Sequence, residues 1–198
     1  MFWFMSDKSA QKKKLILETA RTVFSLKGYR GVTMKDIVEA CGSSRGGLYL
    51  YFSSTEEIFL EVLRLERQEA DDLFEKNIPR EAGPAAILAL FLKEQKKELL
   101  DRKQGLTRAS YEFMFEHSGK EGENFMKKQF DSAVLVIQKL IEAGVEDGEF
   151  YCEDPRRAAS NIMYVLEGLK IASQTRGITQ AAVDREIMYV MQGLIIED

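Results

Sequence analysis

A chain of 198 residues, 45% of them hydrophobic, is long enough to bury a sizeable core as one or two domains. It contains no run of about 18 to 20 apolar residues, which excludes a transmembrane helix, and Met1–Met5 is too short for a signal peptide, so we expect a disordered leader there. Two cysteines, Cys41 and Cys152, are too few for a disulfide framework and have no metal-ligand spacing. We therefore expect a cytoplasmic protein without a metal or other cofactor.

The net charge of −4 conceals an asymmetry along the chain. Residues 1–55 contain nine Lys and Arg and four Asp and Glu, a net charge of +5, and the remaining residues carry −9. A basic segment joined to an acidic one is typical of a polyanion-binding module attached to a domain with another task. The alternative is that these charges only cover solvated helix faces.

Helical periodicity runs along nearly the whole chain, without the sustained alternation that indicates strands. Helix starts are marked by N-cap pairs, as at Thr33 with Asp36 and at Ser54 with Glu57, and Gly28 marks a helix end. We therefore predict an all-α protein of about nine helices. The predicted helices span approximately residues 11–27, 33–41, 45–52, 54–77, 84–100, 104–117, 121–143, 155–175 and 179–196.

The second and third predicted helices are short, and a turn at Gly42-Ser43-Ser44 joins them. This is the arrangement of a helix-turn-helix motif, whose second short helix enters the major groove of DNA. Helical spacing places Leu48 and Phe52 in the core, and the outward side holds Arg45, Gly46, Tyr49 and Leu50. Each glycine in a helix costs about 1 kcal/mol relative to alanine, which is explained if Gly46 and Gly47 allow close approach to the sugar-phosphate backbone. The alternative is a flexible surface turn.

The sequence YRGVTMKDIVEACGSSRGGLYLYFSSTEEIF, residues 29–59, resembles the DNA-binding signature of the TetR/AcrR family of bacterial transcriptional regulators. The shared residues are Gly28, Tyr29, Thr33, Asp36, Ile37, Gly42, Ser44, Gly46, Leu48, Tyr49, Tyr51, Phe52, Ser54, Glu56 and Phe59. The resemblance implies a helix-turn-helix DNA-binding domain over residues 1–53 and a helical ligand-binding and dimerisation domain over residues 54–198.

The resemblance also implies which residues contact DNA. Thr33 and Lys35 would touch backbone phosphate, and Thr55 replaces a lysine that approaches phosphate in relatives. Further DNA-facing residues would be Ser44, Arg45, Gly46, Gly47, Tyr49, Leu50 and Tyr51. Lys12, Lys13 and Lys14 either add non-specific phosphate contacts or form a solvated helix end.

In the family, the C-terminal helices form a homodimer and enclose a small-molecule pocket. The last two predicted helices carry apolar stripes that a monomer would leave exposed and that suit a four-helix bundle between two protomers. The stripes consist of Ala158, Ala159, Ile162, Leu166, Leu169 and Ala172, and of Ile187, Met188, Met191, Leu194 and Ile195. Aromatic and methionine-rich segments predict ligand contacts, unless their rings belong to the core. The predicted ligand-binding residues are Tyr111, Met114, Phe115, His117, Phe125 and Met126; Glu112 and Glu116 could meet a cationic ligand end.

These expectations describe a repressor that binds an inverted-repeat operator as a homodimer and is released by a small-molecule effector. The alternatives are a helical adaptor that binds protein and a regulator that senses thiol chemistry through Cys41. Gly42–Gly46 matches the nucleophile elbow G-x-S-x-G, but that motif needs a preceding strand and a histidine partner. The preceding residues are helical in pattern and His117 is the single histidine, so we do not expect an enzyme.

Overall fold

A computed structural model of the chain describes residues 3–101, 105–117 and 121–194, except for the side chains of 3–7, 121–124 and 126. Within these ranges the chain forms nine α-helices and no strand. The helices are α1 (Trp3–Lys27), α2 (Met34–Ala40), α3 (Arg45–Tyr49), α4 (Thr55–Asn77), α5 (Pro84–Leu100), α6 (Thr107–Glu116), α7 (Glu121–Glu146), α8 (Pro155–Thr175) and α9 (Gln180–Gln192). None of the described helices is both long and apolar enough to span a membrane.

The chain divides into two compact units. The first unit comprises Met1–Leu73 with Lys103–Ser118, and the second comprises Phe74–Arg102 with Gly119–Asp198. Helix α6 therefore belongs to the first unit, although α5 before it and α7 after it belong to the second. The sequence-based division at residue 53 concerns function and stays a prediction; the compact units have other boundaries.

The first unit is held together by a cluster of aromatic rings. The four-residue spacing of Ile16, Ala20 and Phe24 gives α1 one buried face, and α4 buries Phe59 against it. The rings of Phe24 and Phe59 are 4.8 Å apart between centroids, and the Tyr29 ring lies 5.0 Å from that of Phe59. Such edge-to-face and tilted pairs add to the free energy gained by burying their area.

The second unit contains a separate core formed by α5, α7, α8 and α9. The predicted dimerisation stripe of α8 is largely inside this core: Ala159, Ile162, Leu166, Leu169 and Ala172 are buried within one chain, as is Leu194. The expectation that a monomer leaves these stripes exposed is therefore wrong for these six residues. Periodicity shows that one face of a helix is apolar. It does not show whether another helix of the same chain or a second protomer covers that face.

Two helices are longer than predicted. Helix α1 begins at Trp3 rather than at residue 11, so residues 3–5 are helical and not a disordered leader, and Lys12–Lys14 lie inside the helix. Helix α7 continues to Glu146 through Gly144, where the sequence indicated a loop. A Cβ on Gly144 would lie 2.2 Å from the Phe150 ring, so the glycine provides room for that ring.

Helices α3, α6 and α9 are shorter than predicted, and α6 spans Thr107–Glu116 rather than residues 104–117. Helix α3 ends at Tyr49 instead of residue 52, because the backbone N–H groups of Tyr51 and Phe52 both donate to the Leu48 carbonyl and the chain tightens into a turn. Helix α9 ends at Gln192 instead of residue 196, and Gly193 is its C-cap.

Candidate nucleic-acid interface

The start of α2 is fixed by a complete capping box, as predicted. The Thr33 Oγ1 accepts from the Asp36 N–H (3.3 Å), and the Thr33 N–H donates to Asp36 Oδ2 (2.8 Å). Lys27 Nζ donates to the other Asp36 oxygen (2.5 Å). Hydrogen bonds from Lys27 and Thr33 hold the pKa of Asp36 well below its usual range. The Thr33 hydroxyl also donates to Asp36, so its hydrogen is used in the cap.

The turn between α2 and α3 depends on a left-handed residue and a serine cap. Gly42 has φ +58°, which a side chain would disfavour. Ser44 is the N-cap of α3, and its Oγ accepts from the Gly47 N–H (3.1 Å). A Cβ on Gly47 would lie 3.0 Å from that oxygen, so this glycine faces the serines of the turn. Buried Leu48 and Phe52 anchor α3 to the core.

The opposite side of α3 is free of protein contacts over much of its area. Apart from its chain neighbours and the backbone of α3, no atom lies within 4 Å of a Cβ placed on Gly46, and the Leu50 side chain is 84% exposed. The Arg45 guanidinium lies over the Tyr49 ring, 5.5 Å from its centroid. The structure thus brings the predicted residues Arg45, Gly46, Tyr49 and Leu50 together on one exposed surface, which we call the reading face.

Three other predicted DNA contacts have different environments. Lys35 is exposed, and its Nζ lies 3.7 Å from Glu39 Oε1. In such a weak surface pair, a DNA phosphate could take the place of the Glu39 carboxylate. Tyr51 is partly buried and packs against the core. Thr55 is partly buried, and its hydroxyl lowers the pKa of the Tyr29 phenol, so it faces the inside of the unit.

The basic N-terminal segment is partly neutralised by the fold. Six of its nine cations form ion pairs: Lys13 with Glu61, Lys14 with Glu18, Arg21 with Glu66, Lys27 with Asp36, Arg30 with Glu116, and Lys35 with Glu39. The lysine run of α1 is therefore not uniformly free, since Lys13 also lies 5.5 Å from the Phe52 ring centroid. Exposed ion pairs are weak and exchange readily, so a phosphate can displace the carboxylate from such a cation.

Helix α6 contributes a set of contacts to the first unit that sequence reasoning missed. Glu112 accepts from the Arg30 backbone N–H (3.0 Å) and from Arg108 Nε (2.7 Å). Burial alone would raise the pKa of Glu112, but hydrogen bonds from Arg30, Arg108 and Tyr29 outweigh it and lower the pKa. Its carboxylate occupies the space above Gly28, which has φ +74°. Contacts between residues about 80 positions apart leave no local pattern in the sequence.

The C-terminal end of α6 is buried among rings. The His117 ring lies 4.2 Å from the Phe113 ring between centroids, and its Nδ1 is 2.9 Å from the Phe113 carbonyl oxygen. Its Nε2 is 3.6 Å from the Glu56 carboxylate. Burial, followed by the charges of Glu56 and Glu116, raises the pKa of Tyr29 to about 12. Phe113 and His117 thus belong to the core of the first unit.

The predicted ligand-binding residues fall into two groups. Tyr111, Met114, Phe115 and His117 lie on or next to α6 in the first unit, whereas Phe125 and Met126 lie on α7 in the second. Within the first group, His117 is buried and Phe115 is 73% exposed, so they do not line a common cavity surface. The side chain of Met126 lies outside the described residues.

Other chemistries find little support in this region. A nucleophile elbow follows a strand, but the residues before Gly42 form α2. Cys41 is partly buried at the C-cap of α2 and packs against the core. In the described part of the chain, no three His, Cys, Asp or Glu side chains are grouped so as to hold a metal ion.

Helices α2 and α3, their glycine turn and the reading face define the class of the protein, a DNA-binding protein of the helix-turn-helix type. The family model of "bacterial regulatory proteins, tetR family" matches residues 16–62, and that of a "tetracyclin repressor-like, C-terminal domain" matches residues 87–184. The chain belongs to the TetR family of bacterial transcriptional regulators. The resemblance that the sequence indicated is confirmed, and so is the all-α fold.

The curated relatives include YfiR, an uncharacterized HTH-type transcriptional regulator of Bacillus subtilis strain 168, which is 36% identical over 141 residues (71% of this chain, 68% of that protein). The HTH-type transcriptional repressor AcnR of Corynebacterium glutamicum is 34% identical over 71 residues (36% of this chain, 38% of AcnR). A similar fold occurs in a Saccharomonospora viridis protein solved in complex with choline: the TM-score is 0.80 at 22% identity, with 95% of this chain and 100% of that chain covered.

Proposed function

We propose that this regulator is a repressor that binds an inverted-repeat operator as a homodimer. The reading face carries the proposal, because Arg45 on α3 and Leu50 directly after it are exposed, while buried Leu48 and Phe52 anchor this segment to the core. An arginine can donate two hydrogen bonds to a guanine edge in the major groove. Lys35 is exposed at the second residue of α2, where it can reach phosphate. The relative AcnR is named a repressor, which favours repression here too. A regulator that binds bacterial chromosomal DNA acts in the cytoplasm.

The last two helices supply a surface for the homodimer. Exposed residues on α8 recur at alternating three- and four-residue steps: Asn161, Tyr164, Gly168, Ile171 and Thr175. This is the spacing of a helix-helix seam, and Gly168, with no atom near the position of its absent Cβ, permits close approach of a second helix. Helix α9 adds exposed Met188 and Tyr189. A two-fold pairing of this surface would present two reading faces to two half-sites about one DNA turn apart.

A small-molecule effector would release the repressor by shifting the population of its dimers. The effector acts only through its different affinity for DNA-competent and DNA-incompetent forms, with a coupling of about 1–3 kcal/mol. The choline complex of the Saccharomonospora viridis protein supports a small-molecule site in this fold. For this chain, Tyr111, Met114, Phe115, Phe125 and Met126 stay predicted contacts, and the burial of His117 makes it the weakest candidate.

The experiment is fluorescence anisotropy of the purified protein on labelled duplexes that tile the region upstream of its gene, across a salt series. We expect saturable binding to one inverted repeat, with affinity falling as salt rises. Arg45→Ala should weaken that binding by about 5–150-fold for each half-site, because it removes one base-edge contact from each. Arg80→Ala is the matched control, since it removes the same charge from an exposed turn outside the motif.

Equal binding of all tiles by both variants would contradict the proposal, as would tight binding that salt does not change. Effector release is tested on the same duplex with a panel of small cations and aromatic compounds, choline included. A true effector must weaken operator binding by the same factor by which the operator weakens effector binding.

A further inference from the structure

Leu50 is an unusual residue for a surface that binds a polyanion. At 84% exposure it is the most exposed large hydrophobic side chain in the described part of the chain. Single exposed leucines are common and need no explanation by themselves. This one, however, follows α3 directly and projects beside Arg45 and Tyr49, so binding of DNA would cover it.

The side of the reading face around Leu50 cannot form side-chain hydrogen bonds. Gly46 lies one helical turn before Leu50 and has no side chain, and the space around it is empty to 4 Å. Leucine has neither a donor nor an acceptor. The polar side chains of the face, Arg45 and Tyr49, lie together as a stacked pair. The reading face therefore has a polar half and an apolar half.

Only one group in the major groove of unmodified DNA matches an apolar surface. Every base pair presents hydrogen-bond donors or acceptors there, and the thymine C5-methyl is the apolar exception. A cytosine amino group or a guanine oxygen against Leu50 would lose its water without gaining a partner, which is unfavourable. A thymine methyl loses only unfavourable hydration.

We propose that Leu50 is a specificity-determining residue that selects a thymine in each operator half-site by contact with the C5-methyl group. The inference rests on the proposed operator binding and adds the base that this side chain reads. Gly46 assists because a side chain at that position would hold the base edge away from Leu50.

The test removes the methyl group from the DNA and the leucine from the protein. A preferred duplex is first selected from a random pool with the wild-type protein. Each thymine is then replaced in turn by deoxyuridine, which differs only by the C5-methyl. We expect one position per half-site at which the replacement weakens binding about four-fold, the value of one buried methyl, and about sixteen-fold when both half-sites are changed.

The protein variant shows whether Leu50 makes that contact. Leu50→Ala should weaken binding to the thymine duplex and should bind the thymine and deoxyuridine duplexes equally, because the methyl has lost its partner. Leu26→Ala is the matched control, since Leu26 is 72% exposed on α1 of the same unit; it should retain the full deoxyuridine effect. Leu50 is exposed, and its replacement should leave the melting temperature unchanged.

The inference is overturned if the wild-type protein tolerates deoxyuridine at every thymine, or if the deoxyuridine effect persists in Leu50→Ala. In both cases sequence-specific binding itself would still be present, so operator binding survives. If the selection enriches no sequence, operator binding fails and the inference fails with it.

Discussion

Asp36 is the residue on which the first turn of α2 depends. Its carboxylate accepts hydrogen bonds from Thr33 and Lys27, which hold its pKa below the ordinary value of 3.8. A carboxyl group whose pKa is lowered by folding stabilises the folded state above the unfolded pKa, and this contribution is lost as the pH falls further. We therefore expect Asp36→Asn to lower the free energy of unfolding at pH 7, and its difference from wild type to shrink below about pH 4.

Urea unfolding of the two proteins at pH 7 and at pH 3 measures this change. Glu39→Gln is the control, because it removes a carboxylate from the exposed side of the same helix, where its partner is Lys35 at 3.7 Å. Such a surface pair contributes little. If the free energies of unfolding of wild type and Asp36→Asn differed by the same amount at both pH values, the lowered pKa of Asp36 would not contribute to stability.

At the scale of single residues, the sequence predicts the caps correctly but not the long-range roles. Thr33 with Asp36 and Ser54 before Glu57 both cap helices as expected, because a cap is decided within four residues. For Glu112, the sequence suggests only a contact with the cationic end of a ligand. Two of its partners, Arg30 and Gly28, lie about 80 residues earlier in the chain.

Among the helices, α6 is the one whose place in the fold is hardest to predict from local sequence, because it packs in the first unit while its neighbours in the chain belong to the second. Phe113 is fully buried and its ring lies 4.9 Å from Tyr29 and 5.2 Å from Phe59 between centroids. We expect Phe113→Ala to lower the free energy of unfolding of the first unit by about 3–5 kcal/mol, the usual cost of a large cavity in a core. Near-UV circular dichroism during urea unfolding measures it through the surrounding rings.

Phe115→Ala is the matched control on the same helix. The Phe115 ring is 73% exposed, so its removal should change the free energy of unfolding by less than about 0.5 kcal/mol. Similar losses in the two variants would contradict the assignment of α6 to the core of the first unit.

Helix existence is predicted well from periodicity, while helix ends are predicted less well. Helices α5 and α8 have the expected bounds because proline and N-cap signals fix their starts. The end of α7 was wrong since Gly144, read as a breaker, makes room for the Phe150 ring. The four exposed residues of the reading face were predicted together, because helical spacing within one turn decides which side they occupy.

For the whole molecule, the proposed homodimer predicts the effect of a charge on its surface. Ile171 is 47% exposed within the α8 seam. Ile171→Asp would bury an unpaired carboxylate twice, once per protomer, and we expect the dimer dissociation constant to rise at least about 100-fold. Light scattering after size exclusion should then give the mass of one chain, 22.6 kDa, where the wild type gives twice that mass.

Val136→Asp controls for the charge itself, because Val136 is 65% exposed on α7 and lies outside the seam. It should leave the mass unchanged. A monomeric wild type, or an Ile171→Asp protein that stays dimeric, would reject the seam. Sequence alone could not locate it: the periodic stripe of α8 is the buried one, and the exposed side combines Tyr164, Gly168 and Ile171, whose mixed character gives no apolar signal.

The placement of α6 determines how the chain can be cut. Because the first unit is discontinuous, the polypeptide passes from one unit to the other three times, and no single cleavage releases the DNA-reading part intact. A gene fragment encoding residues 1–73 would lack Phe113 and leave the Tyr29 and Phe59 rings partly uncovered. Grafting this DNA specificity onto another regulator therefore requires α6 to be transplanted along with the helix-turn-helix.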